Sequence, residues 1–406
     1  MKSQLLSSVF IGTALCASAV VPTVSNVRIE QDKGSRNVTI RYDLADAPGI
    51  VTLDILTNGV SIGAANVTCA IGDVNRKVEA ETDREIVWAA DRSWPNHKIK
   101  TASVTAKVTA WPLNDPPPVM VIDLVNGGKD YTFFEDFCQL EGGVTNRRYK
   151  TDYLVMRKVP AKGAVYTMGG THRIAFTNDF YLGIYEMTQR QMLYLVNDRE
   201  TQLYAEDPDA DVLPSDWVKY GRIGTHTRAA LREWENGISQ PQGGTVVSSS
   251  LIAKIRTYTG FTRADLPTHA QWEFACRAGS AHAYNNGTDD AAGLDAVGWY
   301  VDNAEGKPHP VGEKDPNAWG FYDMHGNVAE WVVDHTWASY DPYMIDPPYP
   351  PEANRGTQNT ALRDRVGGSY VNEATGCKAN SLNSRLYNVD DPAESGFRLW
   401  IPAEIP

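Results

Sequence analysis

Between Val24 and Trp111, apolar and polar residues alternate with a period of two in several short runs separated by Gly, Asn and Asp turns. In residues 37–44, Val38, Ile40, Tyr42 and Leu44 fall on one side of an extended chain and Thr39, Arg41 and Asp43 on the other, the pattern of a half-buried strand. Val51, Leu53 and Ile55 repeat it, as do Ala102, Val104, Ala106, Val108 and Ala110. Short alternating strands at this spacing predict a small β-sandwich over residues 24–111, of the immunoglobulin or fibronectin-III kind. Such modules space, present or bind rather than catalyse. Trp111-Pro-Leu-Asn-Asp-Pro-Pro-Pro118 marks the boundary that follows, because consecutive prolines cannot donate to a sheet ladder and hold the chain extended. Residues 112–150 read as a linker and bridging segment, with a strand over 119–124 and a turn at Gly127-Gly128.

Beyond residue 151 the period changes. Thr188-Gln-Arg-Gln191 is a capping box, in which a Thr hydroxyl and a Gln amide satisfy free backbone N–H groups, and Met192, Leu195 and Val196 follow on one helical face. Thr268-His-Ala-Gln271 is a second, with Trp272, Ala275 and Cys276 at helical spacing, which puts the Cys276 thiol on a core face as an inert group. Leu251, Ile252 and Ile255 predict a third helix, closed by Gly260. Two irregular stretches, 200–216 and 337–363, are longer than ordinary loops, a length that goes with function or internal ties. The prediction is an α+β domain with little regular secondary structure over 151–406, preceded by the all-β sandwich.

Composition then sets bounds. At 406 residues with 42% hydrophobic and 22% charged positions, the chain can fill more than one core. A formal net charge of −12 with no basic run argues against nucleic acid or an anionic membrane as the main partner. Lys2, an apolar run from Leu5 to Leu15 and the small residues Ala17-Ser18-Ala19 read as a signal peptide over 1–19, which predicts export to a periplasm, a cell surface or the exterior. No stretch reaches the roughly 18 apolar residues of a membrane helix. Cleavage removes Cys16 and leaves Cys69, Cys138, Cys276 and Cys377, an even number whose pairing the spacing leaves open; Cys138 with Cys377 is one candidate.

Four segments carry a family resemblance. They are Phe180-Tyr-Leu-Gly-Ile-Tyr-Glu-Met-Thr188; Leu266-Pro-Thr-His-Ala-Gln-Trp-Glu-Phe-Ala-Cys-Arg-Ala-Gly279; Pro316-Asn-Ala-Trp-Gly-Phe-Tyr-Asp-Met-His-Gly-Asn-Val-Ala-Glu-Trp331; and Arg365-Val-Gly-Gly-Ser-Tyr370 with Ser395-Gly-Phe-Arg398. In this order they resemble the sulfatase-modifying factor (formylglycine-generating enzyme) domain family. The resemblance implies a compact domain related to C-type lectin folds and held partly by calcium.

The calcium site implied by the resemblance uses the side chains of Asp323 and Glu330 and the carbonyls of Gly326 and Val328. Two carboxylates across a tight Gly-Asn turn are the hard oxygens such an ion prefers. His325 and His335 flank this turn and read as surface or neighbouring groups rather than ligands, and the eight histidines show no pair at helical ligand spacing.

For catalysis, the resemblance implies Cu(I) between two cysteines, because soft monovalent copper prefers paired thiolates. Cys377 matches the second of these positions, and Ser369 and Arg385 match the family pattern around it. The first cysteine position, five residues before Cys377, holds Asn372, a hard neutral amide. Ala329 likewise stands where the family carries a tryptophan. Arg398 also matches the family pattern and reads as a structural ion-pair or hydrogen-bonding arginine.

Three functional readings follow. In the first, the chain is an exported member of the fold that lacks the copper site and serves as a binding or structural module for a protein or a glycan. In the second, it is an oxygen-dependent oxidoreductase forming formylglycine, or modifying another substrate, through Cys377. The third is a carbohydrate-binding module, which draws on fold analogy and tryptophans alone.

Overall fold

The computed structural model describes residues 20–97, 103–196, 206–216, 218, 231–232, 242–335, 343–346, 362–386 and 394–406. The expected signal peptide lies outside the described residues, as does most of the 337–363 stretch.

The N-terminal region is a pair of packed sheets. One runs in the order Thr23–Gln31, Val38–Ala45, Glu81–Trp88, Ala70–Gly72, and the other is built on Gly49–Thr57, which pairs antiparallel with Val60–Ser61, Arg76–Val78 and Val104–Trp111. Val38, Ile40, Tyr42 and Leu44 are buried on the inner face of the first sheet, against Val51, Leu53 and Ile55 of the second. The alternation that predicts these strands is therefore the alternation that fills the core.

The bridging segment is more ordered than a linker. Val119–Asp123 and Asp130–Phe134 form a hairpin at the edge of a five-stranded antiparallel sheet that continues through Tyr153–Val159, Phe180–Gly183 and Trp400–Pro402. The prolines before it donate nothing, yet their carbonyls accept: Pro118 O from Lys158 N at 2.7 Å and Pro117 O from the Tyr181 hydroxyl. The sandwich is joined to this sheet by apolar packing. Ile50 is fully buried in one cluster with Met120, Phe133 and Ile405, with Trp111 and Leu113 packed alongside. Trp111 Nε1 donates to Thr52 Oγ1 at 2.9 Å, Phe133 N to Asn75 O at 2.8 Å and Ile405 N to Leu113 O at 2.9 Å.

The remaining elements pack around the five-stranded sheet. A four-stranded sheet runs Leu382–Leu386, Leu362–Val366, Ala329–His335, Ser395–Gly396, and a smaller one runs Val165–Met168, His172–Ala175, Tyr343–Ile345. Both capping boxes form. Thr188 N donates to Gln191 Oε1 at 3.1 Å and Gln191 N to Thr188 Oγ1 at 3.3 Å; for Thr268 and Gln271 the distances are 2.9 and 3.1 Å. They start the helices Gln189–Val196 and His269–Arg277. Leu251–Thr259 is capped by the Ser250 side chain and ends at Gly260 with φ 76°. Among the described residues no helix is long and apolar enough to cross a membrane.

Capping delivers the His269–Arg277 helix into the core with its first residue buried. His269 lies 3.9 Å from Glu273, and burial pushes its imidazole pKa down from 6.5 to about 4. The unfolded chain therefore binds this proton first as pH falls, so the stability contributed by neutral His269 is full above pH 6.5 and lost toward pH 4. Between pH 7 and 5 the wild-type chain is expected to lose about 1–2 kcal/mol more unfolding free energy than His269→Leu, measured by urea titration at the two pH values. Equal losses in the two proteins would refute the assignment.

Candidate functional site

The site is made by two turns that meet under the Ala329–His335 strand. In the first, Asp323, Gly326 and Asn327 all have positive φ, at 56°, 89° and 57°. Gly326 cannot be otherwise, since a Cβ there would lie 1.9 Å from Trp299 O. Asn327 holds the turn from inside. Its Oδ1 accepts from His309 N at 2.9 Å, and its Nδ2 donates to Glu186 Oε2 at 2.7 Å and His309 O at 3.1 Å. Glu186 Oε1 accepts from Val328 N at 3.0 Å.

Three fully or almost fully buried carboxylates gather here. Burial first, and then Asp323 and Glu330, push the Glu186 carboxyl well above its usual range; burial raises Asp323 to about 6. Glu330 is paired. Arg398 reaches it at 2.6–2.9 Å, and Trp272 Nε1 donates to its Oε2 at 2.8 Å. The same guanidinium donates to the carbonyls of Gly183, Ile184 and Tyr322 at 2.9, 3.2 and 3.0 Å.

The donor set suits a hard cation at one acid more than at the other. Asp323 Oδ2 accepts from Gly312 N at 2.7 Å, while its Oδ1 is buried without a partner. Glu330, by contrast, is committed to Arg398 and Trp272. Among the described residues no three His, Cys, Asp or Glu side chains converge to hold one metal ion. The set expected from the sequence has only two such side chains, completed by the Gly326 and Val328 carbonyls.

The second turn carries Ser369, Asn372 and Cys377. Gly368, at φ 70°, lets the loop fold onto itself: a Cβ there would stand 2.5 Å from Gly376 O and 2.7 Å from Cys377 Sγ. Asn372 holds this turn through its amide oxygen. Its Oδ1 accepts from both Ser369 N and Ser369 Oγ, at 2.8 and 2.9 Å, and its carbonyl accepts from Val301 N at 3.0 Å. Cys377 has no solvent exposure and packs with Tyr284, Leu294, Val297 and Tyr300. Its S–H contacts Ser369 O at 3.9 Å, and burial pushes the thiol pKa up to about 12. A thiol in such surroundings stays protonated and unreactive. Of the two positions, one therefore holds an amide whose oxygen is engaged by Ser369 and the other a buried thiol.

His325 joins the two turns, and it is not at the surface. Fully buried, its Nε2 accepts from Asn285 N at 3.1 Å, which leaves the proton on Nδ1 to be donated to Cys377 O at 2.8 Å. The Cys276 thiol lies 3.7 Å from Nε2 and is buried, as the helical spacing predicts. The four cysteines among the described residues, Cys69, Cys138, Cys276 and Cys377, are free. Cys138 is exposed on the Phe137–Gln139 turn and is not joined to the enclosed Cys377. Arg385 lies in the Leu382–Leu386 strand opposite Arg363. Its side chain, like that of His335, is outside the described residues. Ala329 is buried beside Glu330.

Glu186 is the site residue that sequence reasoning passes over. Its signal is an acid inside the apolar run Phe180-Tyr-Leu-Gly-Ile-Tyr-Glu-Met, a position where a carboxylate must find partners or a proton.

The model of the sulfatase-modifying factor enzyme 1-like domain matches residues 134–402. LppX of Paenibacillus barcinonensis, a chaperone protein, is 27% identical over 184 residues, which is 40% of this chain and 64% of that protein. The formylglycine-generating enzyme of Streptomyces coelicolor is 30% identical over 219 residues, 49% of this chain and 66% of the enzyme. That of Thermomonospora curvata is 30% identical over 146 residues, 33% and 48%. The chain thus spans between 48% and 66% of the length of these relatives. Among solved structures, Treponema denticola variable protein 1 is similar with a TM-score of 0.47 and 22% identity, over 61% of this chain and 95% of that one.

The buried pair invites a direct measurement. Arg398→Leu leaves Glu330 charged and unpaired and is expected to cost about 3–5 kcal/mol in urea unfolding. Adding Glu330→Gln to that variant should recover part of the loss. A double variant no better than the single one would mean that the carbonyl contacts, and not the charge pair, carry the stability.

Proposed function

The chain belongs to the sulfatase-modifying factor enzyme 1-like domain family, and from that footing we propose that it is an exported binding module whose family domain no longer performs copper-dependent cysteine oxidation. The observation that carries this reading is the state of the Ser369–Cys377 loop. Asn372 replaces a thiolate and spends its amide oxygen on Ser369, while Cys377 is enclosed by Tyr284, Leu294, Val297 and Tyr300. Neither a soft-metal pair nor a substrate-accessible sulfur is available there. Ser369, which matches the family pattern, serves here as the partner that braces Asn372. The Lys2 to Ala19 segment supports export, and the net charge of −12 supports a protein or glycan partner over nucleic acid.

Calcium belongs to this reading as a structural ion. Asp323, with its unpartnered oxygen, Glu330 and the Gly326 and Val328 carbonyls would hold it, and its charge would offset the carboxylate excess of Glu186, Asp323 and Glu330 over Arg398. Glu330 would have to yield one oxygen from Arg398 to take part.

Two experiments test these statements. Purified full-length protein, incubated with Cu(I), oxygen and a cysteine-containing sulfatase-motif peptide, is expected to give aldehyde only at the level of the protein-free control. Aldehyde that disappears in Cys377→Ser would establish the oxidoreductase reading instead. For calcium, chelation is expected to lower the melting temperature by several degrees and added calcium to restore it, with the shift lost in Asp323→Asn. A melting temperature indifferent to chelator and to calcium would remove the ion from this turn.

A further inference from the structure

The sandwich holds a cavity that the site above does not use. Its volume is about 390 Å³, and it opens between the Thr23–Gln31 strand, the start of Val104–Trp111 and the Ala90–Ser93 helical turn. Cavities of this size are in the range that encloses a small ligand. Its apolar side comes from Ile29, Val38 and Val104 and from Trp88, whose indole is buried with its N–H donated to Ser93 Oγ at 2.7 Å. A second aromatic wall is the Trp94–His97 pair, stacked with ring centroids 4.0 Å apart and planes 11° from parallel.

The polar rim, among the described residues, comprises Lys33 and Arg36, Asp32 and Asp91, and the amides of Gln31 and Asn96. Much of this rim is held in place by the hairpin that carries it. Asp32 N donates to Asn37 O at 2.9 Å and Arg36 N to Asp32 O at 3.0 Å, and Asp32 Oδ1 accepts from Gly34 N and Ser35 N at 2.9 and 2.6 Å. Arg36 is kept at φ 61°, a left-handed conformation unusual for a side chain of its size.

We propose that this cavity is a binding site for a neutral saccharide. Aromatic walls with an apolar floor suit the C–H face of a sugar ring. Planar carboxylate, amide and guanidinium groups suit its hydroxyls, each offering paired donors or acceptors. Among the described lining residues two cationic groups stand against two anionic ones, so an anionic or cationic ligand gains no net attraction from them, whereas a neutral polyhydroxylated one can use both kinds of group. The site lies in the appended sandwich, so it stands whether or not the C-terminal domain oxidises cysteine.

The test is binding of the full chain to an array of neutral and anionic glycans, followed by isothermal titration with the best neutral hit. Neutral glycans are expected to bind, with affinity reduced at least tenfold in Trp94→Ala and in Asp91→Ala. Asp91 is exposed, so its substitution separates lost binding from lost folding, and an unchanged melting temperature of that variant verifies it. Cys377→Ser should bind as the wild type does. An array with no neutral glycan bound, binding restricted to anionic glycans, or affinity unchanged in Asp91→Ala would each overturn the proposal.

Discussion

The C-terminal domain depends on one buried ion pair. Arg398 and Glu330 are both removed from water, and the cost of burying two charges is met only because nearly every polar atom of the pair finds a partner. Arg398 reaches the carbonyls at the end of the Phe180–Gly183 strand and that of Tyr322, and Glu330 accepts the Trp272 indole from the His269–Arg277 helix. Two sheets, one helix and the Asp323–Asn327 turn are thereby fixed relative to one another by a single contact. A domain with long irregular stretches needs such a centre, because regular hydrogen-bond ladders satisfy only part of its backbone.

Around that centre the polar groups are arranged by need. Glu186 is satisfied by Asn327 and by Val328 N, and Asp323 in part by Gly312 N. The result is a cluster with more carboxylate than guanidinium, in which burial raises the carboxyl pKa of Glu186 and of Asp323. The Ser369–Cys377 loop shows the opposite economy: its sulfur is surrounded by rings and aliphatic groups, and its one polar replacement, Asn372, turns inward to Ser369. One turn retains an open oxygen and the other has closed.

Much of this was legible in the sequence, and the reasons differ by element. The sandwich strands were readable because their alternation is the direct record of an inside and an outside, as with Val38, Ile40, Tyr42 and Leu44. Both capping boxes were readable because hydroxyl and amide act within a few residues of each other. The turn motifs and the Asn372 departure were visible as residue identities. What was not legible depends on distant pairing. That Val119–Asp123 and Asp130–Phe134 extend the C-terminal sheet is decided by strands whose partners lie on the far side of the proline run. That Glu330 faces Arg398 is a contact across 68 positions. His325, read as a surface or neighbouring group, is not at the surface: it is interior, with Asn285 N and Cys377 O supplying its two hydrogen bonds.

The Ile50 and Trp111 contact carries a consequence for how the molecule is handled. The segment recognised as the family domain starts at residue 134, on the last residue of the Asp130–Phe134 strand, and ends before Ile405. The matched segment therefore leaves out apolar residues, Ile50, Met120, Phe133 and Ile405, that are buried in one cluster with residues it includes. Trimming the chain to that segment would strip two strands from one edge of a sheet and uncover the apolar surface that the sandwich occupies. Where the sequence reads as two domains on either side of a proline-rich linker, a shared apolar cluster joins them.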